Sequence, residues 1–226
     1  MDALITRRSG SSSEYNGKFD YSLYDIYDGP ILSSLTDINL KEFDTSEIRS
    51  MGGMFRDCSS LQSLDLSNFD TTRVNRMSSM FQNCKSLRSL DLSNFNTSNV
   101  TSMSYMFQFC SSLQSLNLSN FNTSEVTSMD NMFYICRSLQ SLNLSNFNTS
   151  NVTSMSYMFY YCRKLQSLDL SSFNTSKVAN MEDMFGGGCA LKTLYVRSEA
   201  DKTKLTASDS WTSLPATCTV IVGKPS

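Results

Sequence analysis

A Met-Phe pair at Met54, Met80, Met106, Met132, Met158 and Met184 returns every 26 residues. With it returns a nearly constant segment, Met80-Phe-Gln-Asn-Cys-Lys-Ser-Leu-Arg-Ser-Leu-Asp-Leu-Ser-Asn-Phe95. A repeat of this length is one supersecondary unit that cannot bury its own apolar face. The chain is therefore expected to pile its repeats into a stack of coils with a long, thin shared core. Whatever such a stack does, it does with the outside of its coils.

One unit, Leu87 to Ser112, shows the grammar. Leu90 and Leu92 alternate with Ser89, Asp91 and Ser93, as in a short strand with one apolar face, and Leu87 and Phe95 join them inward. Asn96-Thr97-Ser98 supplies side-chain oxygens suited to a helix N-terminus. Val100, Met103, Met106, Phe107 and Cys110 then recur at three-to-four-residue steps, which predicts one stripe of a short helix. The same reading places seven parallel strands: 61–69, 87–95, 113–121, 139–147 and 165–173, with degenerate copies at 35–43 and 191–196. Of the 13 methionines, all but Met1 fall in two repeat columns beside the Leu and Phe columns, which reads as core filling rather than a soft-metal site.

Three segments follow: an N-terminal leader and cap over 1–30, the repeat array over 31–197, and a C-terminal cap over 198–226. The leader carries Ser9-Gly10-Ser11-Ser12-Ser13 and the aromatics Tyr15, Phe19, Tyr21, Tyr24 and Tyr27. The C-terminal cap carries Trp211, Leu214 and a strand-like Cys218-Thr-Val-Ile-Val222.

The pattern Leu-x-x-Leu-x-Leu followed by a helical half resembles the leucine-rich-repeat class, and Met-Phe-x-x-Cys-x-x-Leu resembles the BspA-like surface proteins with 26-residue repeats. The resemblance spans six copies from Met51 to about Val196. It implies an α/β fold, a right-handed solenoid with parallel strands on the concave side and short helices on the convex side. It also implies a role in binding or adhesion at a bacterial surface, and hence a cell-surface or extracellular location. In one respect the chain departs from that class. Where the common leucine-rich repeat places a backbone-bonding asparagine, Phe69, Phe95, Phe121, Phe147 and Phe173 stand, and Asn68, Asn94, Asn120 and Asn146 fall one position earlier.

Composition excludes several functions. The chain has no histidine, which removes the commonest general base and most zinc sites, so no enzyme activity and no cofactor are expected. A formal net charge of -2 argues against nucleic acid as a partner. No apolar run is long enough to span a bilayer, and the first residues lack a secretion-signal layout. Five of the seven cysteines share one repeat position, with Cys189 one residue late and Cys218 apart; a column of this kind suits buried thiols better than a metal cage. Gly186-Gly187-Gly188 reads as a helix terminator at a joint between coils.

Two surface rows are candidate binding sites for a macromolecular partner, a host or bacterial surface protein or a glycan. On the strand side, Asp65, Asp91, Asn117, Asn143 and Asp169 form a polar column between two serine columns, with Asp65 and Asp91 side by side and of like charge. On the helical side, Tyr105 and the position of Gln108 point outward, matched in later coils by Tyr157, Tyr134 and Tyr160, with Phe109, Ile135 and Tyr161 in a flanking column. Earlier coils hold Arg56, Asp57, Gln82 and Asn83 at such sites, so the repeat itself does not require aromatics. The competing assignment is a structural or receptor-binding component of a larger assembly or particle, docked through its first 30 residues.

Overall fold

The structure, a computed structural model, describes residues 33, 34, 36–207 and 212–225. The leader at 1–30 and Trp211 lie outside the described residues, as does Leu35 of the first expected strand.

Successive repeats lie side by side in parallel, one period apart. Single bridges link Ser50 to Arg76, Arg76 to Ser102, Ser102 to Ser128, Ser128 to Ser154 and Ser154 to Asn180, and a second line links Asp91 to Asn117 and Asn117 to Asn143. Among the described residues, strands proper form only toward the C-terminal end: β1 (Ser167–Leu170), β2 (Thr193–Val196) and β3 (Thr219–Val222), parallel and in that order, with Leu168 beside Leu194 and Leu194 beside Val220. Of the seven expected strands two are strands among the described residues, at 165–173 and 191–196, while β3 falls in the C-terminal cap and the copies at 87–95, 113–121 and 139–147 shrink to bridges. Composition accounts for β2 and β3, since Thr-Leu-Tyr-Val and Thr-Val-Ile-Val are β-branched and aromatic; β1, Ser-Leu-Asp-Leu like residues 89–92 of an earlier copy, is a strand through its pairing with β2.

The short helices expected in every repeat are absent; the one described helix is α1 (Glu199–Thr206), after the last repeat. The apolar stripe does point inward as its spacing predicts, but it is carried by a chain of turns. Within a coil, the N–H groups of Met106, Gln108 and Cys110 donate to carbonyls three residues back. The intervening N–H groups leave the coil, with Met103 donating to Ser128 O, Tyr105 to Asp130 O, Phe107 to Met132 O and Phe109 to Tyr134 O. A helix would direct all of these bonds along itself. Here alternate donors bind the next coil, and left-handed backbone at Tyr105 (φ 63) and Phe109 (φ 62) breaks helical continuity. Residues spaced three and four apart face one way in either geometry, so periodicity alone did not separate them.

The core is made of ladders. Met51, Met77, Met80, Met103, Met106, Met129, Met132, Met155 and Met158 are fully buried, and Phe55, Phe81, Phe107, Phe133, Phe159 and Phe185 form a continuous column whose neighbouring rings stack near-parallel, Phe81 lying 5.6 Å from Phe107. All seven cysteines are free thiols, Cys218 alone half-buried, and Cys110 Sγ donates to Phe81 O at 3.1 Å. Burial pushes the Cys110 thiol up to about 12.

Polar ladders hold the turns. Thr97 is buried; its hydroxyl donates to Asn122 O at 2.9 Å and accepts from Asn122 N–H at 2.8 Å, and Thr45, Thr71, Thr123 and Thr149 repeat the exchange. Asn96, with its equivalents, accepts the N–H two residues on, so these oxygens close a turn instead of capping a helix. The asparagines one position before the phenylalanine spine do bond backbone after all: Asn94 Nδ2 donates to Leu66 O and Phe69 O of the preceding coil, and Asn68 does the same one coil earlier. The phenylalanine column is therefore an addition to an asparagine ladder shifted by one residue.

The threonine ladder ends on α1. Thr175 N–H and Oγ1 both donate to Asp201 Oδ1, at 2.9 and 2.7 Å, and Lys204 Nζ donates to Thr175 O and Val178 O. Ser198 is the N-cap of α1, and Arg197 pairs with Asp201 at 3.0 Å.

Candidate functional site

The two candidate rows meet different fates. In the strand-side row, Asp65, Asp91, Asn117 and Asn143 are exposed and Asp169 half-buried. Each spends one oxygen on the chain itself, accepting the N–H of the residue two further on: Ser67, Ser93, Ser119, Ser145 and Ser171, at 2.8 to 3.1 Å. Asp and Asn serve this turn equally, which accounts for their interchange down the column. Bonds from Ser67 and from Ser93 hold the Asp65 and Asp91 carboxyls below the usual range, so the expected like-charge cost is met by hydrogen bonding.

The other row gathers into one surface. Tyr134 and Tyr160, one period apart, stack with centroids 5.1 Å apart and planes 9° from parallel. Phe109 meets Tyr134 edge-on at 5.4 Å, Tyr157 meets both Tyr134 and Tyr160 edge-on, and Tyr161 tilts against Tyr160 at 5.2 Å. These five rings are half-buried, and Tyr105, two coils from Tyr157 at the same repeat position, is 39% exposed. Gln108 departs from the expectation: it is buried and pairs with Gln82 one coil back.

Backbone bonds between coils fix the rings in register, because Phe109 N–H donates to Tyr134 O, Ile135 N–H to Tyr160 O and Tyr161 N–H to Gly186 O. Tyr105, Phe109, Ile135, Tyr157 and Tyr161 all occupy left-handed backbone, φ 56 to 63. Gly53, Asp57, Ser79, Asn83 and Asn131 fill the same positions in other coils, where small or polar residues suit that conformation. Bulky and β-branched residues there are strained by roughly 1–3 kcal/mol each.

Sequence reasoning missed several partners of this surface. Gly186 and Gly187 are not a helix terminator: a Cβ on Gly187 would lie 1.9 Å from Tyr161 Cδ2, and one on Gly186 would lie 2.9 Å from Tyr160 Cδ2, so the glycines are the floor on which two tyrosines rest. Arg163 and Arg137 lie over the Tyr161 ring, 4.3 and 5.6 Å from its centroid. Their signal was the run of two arginines at the position after the repeat cysteine, where earlier coils hold Ser59, Lys85 and Ser111. Tyr157 Oη donates to Glu182 Oε1 at 2.8 Å, a bond that pushes the Tyr157 hydroxyl up to about 12.

A second polar feature was also missed. Asp130 stands where neighbouring coils have Ser104 and Ser156, and it accepts from the hydroxyls of Ser128, Ser154 and Ser156 and from Ser156 N–H. Burial would raise its carboxyl, but these four bonds outweigh burial and hold it low.

Residues 31–118 and 109–196 each match the protein family described as "Mycoplasma protein of unknown function, DUF285", the second match beginning three periods after the first. The chain belongs to that family. No curated protein sequence matches it. Among solved structures it is similar to one titled "Crystal structure of TLR13-ssRNA13 complex", with 15% identity, 80% of this chain and 36% of that chain covered, and a TM-score of 0.25. The chain thus spans about a third of the length of that structure. Among the described residues no helix is long and apolar enough to cross a membrane.

Proposed function

We propose that this chain is a right-handed leucine-rich-repeat solenoid of the BspA-like kind and a non-catalytic binding module, adhering to a macromolecular partner at a bacterial surface. The surface formed by Tyr105, Phe109, Tyr134, Tyr157, Tyr160 and Tyr161 is its docking face. One observation carries this reading: Phe109, Tyr157 and Tyr161 occupy left-handed backbone positions that other coils fill with Gly, Asp, Ser and Asn, and with Tyr134 and Tyr160 they form one cluster of rings in contact. Stability of the stack does not call for them, and tyrosine clusters held in fixed register suit recognition. The Asp65 to Asp169 row is left out of the docking face, because every member is engaged in its own turn.

The test is adhesion. Beads coated with the full chain are expected to attach to epithelial cell monolayers, and beads coated with a Tyr134→Ser, Tyr160→Ser double variant to attach at least tenfold less. Equal attachment by folded variant and parent would dismiss the surface.

A further inference from the structure

We infer that the partner is an acidic polypeptide segment, whose carboxylates pair with Arg137 and Arg163 while its side chains pack against the tyrosine edges. This rests on the reading of the aromatic cluster as the docking face and adds the chemistry of what docks there.

The charge argument starts from the two arginines. They occupy the same repeat position in adjacent coils, both are exposed, and both guanidinium groups converge on the single ring of Tyr161. Among the described residues the ion pairs are those of Arg56, Arg73 and Arg197, and neither Arg137 nor Arg163 has a carboxylate partner. Glu182 and Asp183 of the following coil are already engaged, Glu182 with the Tyr157 hydroxyl and Asp183 with Ser213. Lys164, also exposed, follows Arg163 directly. Like charges on neighbouring coils repel, and an incoming anion removes that repulsion. A guanidinium stacked on a ring keeps its in-plane N–H donors open, the geometry that accepts a carboxylate through two parallel hydrogen bonds.

The rings argue for a polypeptide over a sugar. A pyranose needs an open aromatic face. Here Tyr160 lies face-on against Tyr134 and rests on Gly186, while Tyr161 rests on Gly187 beneath the arginines. Around the arginines, what remains outward is ring edge, phenolic hydroxyl and guanidinium, the tyrosine and arginine mixture that dominates protein–protein contact energy, and Tyr105, two coils from Tyr157, is the more open ring of the face.

The experiment measures binding of the full chain to a fluorescent random copolymer of glutamate and tyrosine, with a glutamine–tyrosine copolymer and heparin as separate arms. The expected result is saturable binding to the glutamate copolymer alone, weakened at least tenfold by Arg137→Gln with Arg163→Gln and weakened by raised salt. Absence of binding, or binding that the arginine variant leaves unchanged, overturns the inference. Preferential capture of heparin, lost in the same variant, also overturns it by making the partner a sulfated glycan. The cell-adhesion result for Tyr134→Ser, Tyr160→Ser separates the two levels: adhesion lost in that variant while the glutamate copolymer is ignored leaves the docking face standing and removes only the acidic partner.

Discussion

Tyr161 rests on Gly187, so closely that a Cβ there would lie 1.9 Å from the ring's Cδ2. Gly187 is also in left-handed backbone, φ +66, so Gly187→Ala carries two penalties, strain and a clash. The change is expected to lower unfolding free energy by about 1–3 kcal/mol and to displace the Tyr161 ring from the arginines. Chemical denaturation measures the first effect, and the ring resonances of Tyr161 report the second.

Tyr105 separates binding from stability. It is exposed and holds a left-handed conformation that asparagine adopts more readily. Tyr105→Asn should raise unfolding free energy by up to about 1 kcal/mol while weakening adhesion. A drop in stability would show that the ring supports the coil.

The methionine columns are core. Met106→Ala, in a central and fully buried position, is expected to cost roughly 2–5 kcal/mol in urea or thermal unfolding. An unmoved midpoint would refute its place between coils.

How far these features were legible varies with the physics behind each. The inward columns of Leu, Met, Phe and Cys followed from spacing alone, because burial depends only on which residues share a face. Backbone bonding was not legible in the same way. Turns that donate alternately to the next coil and a helix that donates to itself place Met103, Met106 and Phe107 on the same side, and the hint lay in Asn83 and Asn131, residues that favour left-handed backbone, at positions later filled by aromatics. Tyr134 and Tyr160 were visible as departures from the repeat. Their partners Arg137 and Gly186 were harder to see, since contacts between neighbouring coils join residues about 26 apart whose pairing needs the register.

Asp201 makes the C-terminal attachment sensitive to pH. Burial would raise its carboxyl, but bonds from Ser198, Thr175 and Arg197 outweigh burial and bring it to about 2. A carboxyl lowered in the folded state contributes stability that is complete above its unfolded value near 3.8 and is lost as pH falls toward 2. Unfolding midpoints should therefore fall between pH 4 and about 2, and Asp201→Asn should flatten that part of the profile while lowering the midpoint at pH 7.

The thiols should react in two classes. Cys218 is half-buried, whereas Cys84, Cys110, Cys136 and Cys162 are sealed between coils with their thiols pushed up by burial. Iodoacetamide under native conditions is expected to label Cys218 first and the column only after denaturation, as peptide mass mapping would read out.

The proposal that one period is one interchangeable coil is tested most directly by deletion. Removing residues 61–86 joins Ser60 to Leu87, reproduces the Ser86–Leu87 junction and takes out one whole coil. Thermal unfolding followed by circular dichroism should remain cooperative at a lower midpoint, while a deletion half as long, 61–73, should lower the midpoint further and broaden the transition, because it leaves Phe55 and Phe81 half a period apart and breaks every ladder at that junction. Two deletion variants with equal, cooperative unfolding would contradict the stack.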